Sequence, residues 1–111
     1  DPSLTVGGSS GGSAAAVGAR LCPLAISEDT GVSTRSPACH VGNFGYDPPR
    51  GKYPNDGNAA LSFTNDQLGL QARTFDCILL MDKALTGKFT EHAEAQRLVS
   101  AQRRTVVAFP Q

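Results

Sequence analysis

The sequence has no excess of positive or negative charge and no long apolar run. The 111 residues carry ten basic and ten acidic side chains, which cancel, and neither sign is strongly clustered. A chain without a basic patch lacks the electrostatic footprint of a nucleic-acid-binding protein, so we expect no nucleic-acid partner. No apolar stretch is long enough to cross a bilayer, so we expect no membrane span.

Cysteines are few and widely spaced. Cys22, Cys39 and Cys77 are odd in number and include no C-x-x-C pair. This pattern disfavours a zinc site and the disulfide framework of a small secreted domain, and it predicts three buried or half-buried free thiols. We therefore predict no metal, no cofactor and an intracellular, reducing compartment, either the cytosol or an organelle matrix.

The composition that is present is that of one folded domain. Hydrophobic residues make up 40% of the chain, which is ordinary for a globular protein and too high for a fully disordered one. Short apolar segments alternate with helical ones, which predicts an α/β fold with a mixed β-sheet and helices packed on it. Helices are expected at residues 13–20, 34–41, 75–85 and 91–103, strands at 21–26, 43–46 and 105–109, and a loop at 47–58.

The third predicted helix has the strongest pattern. Thr74 can cap its N-terminus, and Gly87 can end it. Ile78, Met81 and Leu85 recur at helical spacing, which predicts a face turned toward the core.

Two serine-bearing segments are the most informative feature. G-G-S-S-G-G begins at Gly7, and D-T-G-V-S ends at Ser33, so that Ser9 and Ser33 are 24 residues apart. The first segment alone is also typical of a flexible linker. A serine becomes a nucleophile only when a base accepts its proton and hydrogen-bond donors stabilise the oxyanion. A turn that follows a strand and presents successive backbone N–H groups suits the second requirement.

Together and in this order, the two segments resemble the core of the amidase signature family, whose members cleave amides with a Ser/cis-Ser/Lys triad. The second segment runs on through S-T-R-S-P-A, and two more blocks follow in the family's order: F-G-Y-D-P-P-R-G from Phe44 and D-Q-L-G-L-Q-A-R-T-F-D from Asp66. The resemblance covers residues 7–87. We therefore assign residues 1–87 to a partial amidase-signature core, followed by a polar helix and terminal strand in residues 88–111.

The resemblance implies roles for individual residues. Ser33 corresponds to the nucleophile. Ser9 corresponds to the serine that follows a cis peptide bond and relays protons between the nucleophile and the lysine. The oxyanion-hole amides correspond to Thr30, Gly31, Val32 and Ser33, and the supporting positions correspond to Ser10, Asp29 and Arg35.

Several positions depart from the family pattern. The glycine before the nucleophile is Val32, which would be strained if that position needs a positive φ. The usual Gly-Thr is Ser27 and Glu28, which brings a charge beside the site, and a family lysine is replaced by Asp47. No residue matches the catalytic lysine, because the lysines near the matched blocks lie downstream in loop or helix-end positions: Lys52, Lys83 and Lys88.

Other titratable residues have simpler explanations. His40 and His92 are isolated, which is typical of core or surface histidines and not of a base or ligand. Asp66 and Asp76 could form an acid/base pair, but turn and capping roles explain both.

Two functional hypotheses follow. The first is a degenerate, non-catalytic amidase-like module that acts as a structural or binding subunit of a larger assembly, with other protein chains covering its exposed sheet and helix faces. The second is a fragment of an active amidase that hydrolyses a small carboxylic amide through the Ser/cis-Ser/Lys triad, with the lysine outside this chain. The departures from the family pattern favour the first.

Overall fold

Three strands and three helices form the part of the chain that a computed structural model describes, residues 3–87. In chain order they are α1 (Gly11–Gly18), β1 (Leu24–Asp29), α2 (Arg35–His40), β2 (Phe44–Tyr46), β3 (Gln67–Ala72) and α3 (Phe75–Thr86). The predicted helix at 91–103 and strand at 105–109 lie outside the described residues.

The strands form one sheet in the order β1-β3-β2, and both neighbouring pairs are antiparallel. Leu24 pairs with Ala72 and Asp29 with Gln67, and Phe44 pairs with Ala72 from the other side. The α/β fold with helices packed on a sheet is therefore confirmed, and β3 is the central strand of the described sheet.

The central strand β3 is not among the elements predicted from the sequence. Its residues alternate Gln67, Gly69 and Gln71 with Leu68, Leu70 and Ala72, and glycine is disfavoured in strands. Gln71 is nevertheless fully buried, because β3 has a strand on each side and helices on the sheet. Tertiary packing here overrides the local preference of the residues.

One face of the sheet carries the hydrophobic core. Leu70 and Ala72 of β3 pack there with Tyr53 and Ile78, and all four are at most 3% exposed. The partly buried residues around them include two from the predicted core face of α3, which is thereby confirmed: Leu24, Tyr46, Leu68, Phe75, Cys77, Met81 and Leu85.

Both predicted ends of α3 are also confirmed. The Thr74 side chain accepts a hydrogen bond from the Cys77 N–H at 3.3 Å, and Gly87 ends the helix in the left-handed conformation with φ 67°. At 12 residues, α3 is still too short to cross a bilayer. None of the described helices combines the length and the apolar character of a membrane span.

The opposite face of the sheet contacts the start of α2 at very short range. A Cβ added to Gly69 would lie 2.7 Å from Thr34 Oγ1 and 2.9 Å from the Tyr46 carbonyl oxygen, and one added to Gly45 would lie 3.0 Å from Arg35 Cα. Only glycine fits at such distances. The two glycines therefore let the segment before α2 lie directly on the sheet.

The other elements confirm the predicted types but shift their boundaries. Helix α1 begins earlier than predicted, at Gly11, because the Ser10 carbonyl oxygen already accepts the Ala14 N–H at 3.1 Å. Strand β1 begins only at Leu24, after Pro23, which lacks the N–H that a ladder needs.

The prediction for the thiols was wrong in one case. Cys22, Cys39 and Cys77 are all free, but only Cys22 and Cys77 are half-buried. Cys39 is exposed, because the short helix α2 turns Pro37 and Ala38 inward instead.

We expect Gly69→Ala to lower the free energy of unfolding by about 1–3 kcal/mol, because the new methyl group overpacks the contact with Thr34 and the β2 backbone. Chemical denaturation measures this change. Gly12→Ala is the matched control, since a Cβ at Gly12 meets nothing within 4 Å; it should leave stability unchanged or raise it by up to about 1 kcal/mol. Equal stability of the two variants would contradict the close approach.

Candidate active site

The two serine segments lie side by side. The Ser10 N–H donates to the Ser33 carbonyl oxygen at 3.2 Å, and the Ser10 hydroxyl donates to the Glu28 carbonyl oxygen at 3.2 Å. The peptide bond between Gly8 and Ser9 is cis, as in the family pattern. Ser9 is exposed and Ser33 is half-buried. The fold thus joins the Gly/Ser loop to the turn that carries Ser33.

The turn of residues 30–33 connects β1 to α2 and has unpaired donors. None of its four backbone N–H groups donates a hydrogen bond to another described residue. Its carbonyls are engaged instead: Val32 accepts from the Ser36 N–H at 2.8 Å, and Gly31 accepts from Arg35 Nη2 at 2.5 Å. Free backbone donors beside a serine hydroxyl are the components of an oxyanion hole.

A buried carboxylate braces this turn. Asp29 is 2% exposed and accepts hydrogen bonds from the Thr34 N–H at 3.1 Å and from Arg35 Nε at 3.0 Å. Burial by itself would raise the pKa of Asp29, but the hydrogen bonds from Arg35 and Thr34 outweigh it and hold the pKa below 3.8. Arg35 also lies 3.5 Å from Asp47, so the acidic residue that replaces a family lysine contributes a second carboxylate to the same guanidinium.

Thr34, next to Ser33, is fixed by two further side chains, and the sequence did not single it out. It is fully buried. Its hydroxyl shares a hydrogen bond of 2.8 Å with Ser27, and its carbonyl oxygen accepts from Gln71 Nε2 at 2.8 Å. Ser27, which departs from the family glycine, therefore helps to hold the turn. No local signal points to Thr34 or Gln71, because their contact depends on β3 lying beneath the turn.

A second carboxylate reaches the turn from the loop before β3. Thr30 Oγ1 donates to Asp66 Oδ1 at 2.7 Å, while the N–H groups of Leu61 and Ser62 donate to Asp66 Oδ2 at 2.6 and 2.7 Å. The turn role expected for Asp66 is confirmed. Its contact with Thr30 is an addition that the sequence did not predict.

Val32 and Glu28, two departures from the family pattern near Ser33, both fit the structure. Among the described residues other than glycine, only Arg20 has a positive φ, so Val32 does not adopt the conformation that would strain a β-branched side chain. Val32 is 57% exposed. Glu28 Oε1 accepts a hydrogen bond from Asn58 Nδ2 at 2.7 Å, so the added charge has a partner.

Lys52 is unsuited to act as the base. Its Nζ lies 2.6 Å from Asp82 Oδ1 and 3.0 Å from the Tyr46 hydroxyl. Burial would lower the pKa of Lys52, but the hydrogen bonds to Asp82 and Tyr46 outweigh it and raise the pKa. A lysine accepts a proton only in its neutral form, so a raised pKa disfavours it as a base at neutral pH. Lys52 instead ties its loop to α3.

Residues 3–87 contain no clustered set of metal ligands. Within that range, no group of three or more His, Cys, Asp or Glu side chains is arranged to hold a metal ion.

We expect Asp29→Asn to lower the free energy of unfolding by about 1–3 kcal/mol at neutral pH, the usual worth of hydrogen bonds to a charged group. Because the folded-state pKa lies below 3.8, the stability from Asp29 is fully present above that value and is lost as pH falls through the folded pKa. The difference between wild type and variant should therefore shrink below pH 3.8.

Denaturation at several pH values tests this expectation, with Asp56→Asn in the exposed loop as the control. A difference from wild type that stays constant down to the most acidic pH would contradict the role of the Asp29 charge.

Comparison with known proteins agrees with the geometry. A family model described as Amidase matches residues 1–110. Mandelamide hydrolase of Pseudomonas putida is 46% identical over 87 residues, which cover 78% of this chain and 17% of that protein. The A subunit of glutamyl-tRNA(Gln) amidotransferase from Chlamydia pneumoniae is 42% identical over 86% of this chain and 20% of its own length.

Indoleacetamide hydrolase of Agrobacterium vitis is 42% identical over 79% of this chain and 19% of its own length. The chain thus spans a fifth or less of the length of these curated relatives. The family model, by contrast, matches nearly the whole chain, residues 1–110. On these matches, the chain belongs to the amidase signature family.

Proposed function

We propose that the protein containing this chain hydrolyses a carboxylic amide, with Ser33 as its nucleophile. The observation that carries the proposal is the braced turn: Asp29 and Thr34 fix its end, and the four N–H groups of residues 30–33 have no acceptor among the described residues. Such unpaired donors next to a serine are suited to stabilise a developing oxyanion, and this stabilisation commonly contributes most to the catalysis of acyl transfer.

The proposed reaction has two steps. Ser33 Oγ attacks the amide carbonyl carbon, its proton passes through Ser9 to a lysine outside this chain, and the N–H groups of residues 30–33 stabilise the oxyanion. The C–N bond then breaks, and the amine leaves with that proton. Water then attacks the resulting ester. One of its protons passes through the same relay to Ser33 Oγ, and the carboxylic acid and free Ser33 are released.

The relatives support this reaction class. By their names, mandelamide hydrolase and indoleacetamide hydrolase act on amides of carboxylic acids. We extend the class of bond, and not the individual substrate, to this chain.

We expect Ser33→Ala to abolish labelling by a fluorophosphonate probe and to lower amide hydrolysis by at least about 10³-fold, because the nucleophile is lost. Ser9→Ala should lower both rates through loss of the relay. Ser13→Ala in α1 is the matched control within the same Gly/Ser segment and should keep both rates. The measurement uses the intact natural protein that contains this sequence. Labelling that survives Ser33→Ala would contradict the assignment.

A second candidate is a non-catalytic amidase-like subunit. Val32 in place of glycine favours it, because this residue is 57% exposed next to Ser33 and could occupy the space that an acyl group needs. One of the relatives is by its name a subunit of an amidotransferase. In this candidate, other protein chains would cover exposed apolar side chains such as Leu21, Leu61 and Phe63.

Three free thiols favour a reducing compartment for either candidate.

Val32→Gly separates the two candidates. If Val32 blocks the acyl site, its removal should raise the fluorophosphonate labelling rate by at least about tenfold, because a clash of about 1.4 kcal/mol would be relieved. We expect a change of less than about threefold, because Val32 is unstrained and turned to solvent. If wild type shows almost no labelling and Val32→Gly labels at least about tenfold faster, the degenerate module is favoured instead.

A further inference from the structure

Asp66 and Thr30 lie opposite each other at the end of the β1–β3 ladder. The last paired residues of that ladder are Asp29 and Gln67, so Thr30 and Asp66 occupy the next positions in the same register. At that point the Thr30 hydroxyl donates to Asp66 Oδ1 at 2.7 Å. A side-chain hydrogen bond thus continues the pairing where the strand ladder stops and the turn begins.

The second oxygen of this carboxylate is held independently of Thr30. Leu61 and Ser62 donate their backbone N–H groups to Asp66 Oδ2. The hydrogen bond from Thr30, with those from Ser62 and Leu61, holds the pKa of Asp66 below its ordinary value despite burial. The carboxylate is therefore ionised at neutral pH, and its hydrogen bond from Thr30 is charge-assisted.

Two carboxylates therefore hold the turn of residues 30–33 at its two ends. Asp66 binds the hydroxyl of Thr30, where the turn begins, and Asp29 binds the N–H of Thr34, just after it ends. The unpaired N–H groups lie between these anchors. Oxyanion donors are effective only when they are aimed in advance at the developing charge, so fixing both ends of the segment fixes their direction.

We propose that Asp66 is a positioning residue for amide hydrolysis, which aims the backbone N–H groups of residues 30–33 at the oxyanion through the Thr30 hydroxyl. This inference rests on the proposed function and adds to it a residue outside both serine segments. Asp66 acts through Thr30 and takes no part in proton transfer.

Thr30→Val is the sharpest test, because valine keeps the shape of threonine, removes its hydroxyl and leaves the bonds of Asp66 to Leu61 and Ser62 in place. In the intact natural protein, we expect kcat to fall about 10- to 100-fold, as for misplacement of a catalytic group, with KM changed less than about threefold. Thr30→Ser restores a hydroxyl and should recover at least about tenfold of that loss.

Asp66→Asn supplies the coupling measurement. If Asp66 acts through Thr30, the double variant Thr30→Val/Asp66→Asn should lose about as much kcat as the more impaired single variant. The reason is that both changes remove the same hydrogen bond between Thr30 and Asp66. Losses that multiply would overturn the inference. So would a Thr30→Val protein with wild-type kcat, or one in which KM rises instead of kcat falling.

Failure of the proposed function gives a different result. A wild-type protein that neither hydrolyses amides nor labels at Ser33 would refute the proposed function and the inference with it. A wild-type protein that is active while Thr30→Val is equally active would refute only the positioning role of Asp66.

Discussion

A buried carboxylate lies where the strand β1 ends and the serine turn begins, and the arrangement of the site depends on it. Asp29 is the last residue of β1, so the sheet fixes its backbone, while its side chain binds the N–H of Thr34 and the guanidinium of Arg35. A charge with 2% exposure is stable only when it is paired and hydrogen-bonded. The hydrogen bonds that Asp29 needs therefore fix the backbone on the far side of Ser33, at Thr34 and Arg35.

The second constraint is the distance between the turn and the sheet. Thr34 touches β3 at Gly69, and Arg35 and Ala38 touch β2 at Gly45. Side chains at those positions would push the turn away from the strand that carries Gln71. The hydrogen bond from Gln71 to the Thr34 carbonyl oxygen and the close contact with glycine thus belong to one packing arrangement, in which a polar network replaces an apolar core beneath the site.

Local signals in the sequence predicted the elements whose residues determine their own structure. Thr74 and Gly87 cap α3 by local hydrogen bonding. The two serine segments and the blocks that follow them, taken in order, indicated the family, while the supporting roles of Asp29 and Arg35 stay predictions that the resemblance implies. Strand β3 was not predicted. The alternation of Gln67, Gly69 and Gln71 with apolar residues is a strand pattern, but glycine disfavours strands, and the burial of Gln71 comes from neighbours distant in the chain. The link from Asp66 to Thr30 follows from that same register, so it too depends on β3 being in place.

The position of β3 in the chain also has a consequence for how the protein folds. Its partners Leu24–Asp29 precede it by nearly 40 residues at the closest pair, Asp29 and Gln67, so the central ladder requires the closure of a long loop. Such non-local pairing is slow compared with the formation of helices. On a ribosome, the Ser33 turn is therefore synthesised before the strand that holds it, and we expect the donor geometry to form only once β3 has joined the sheet.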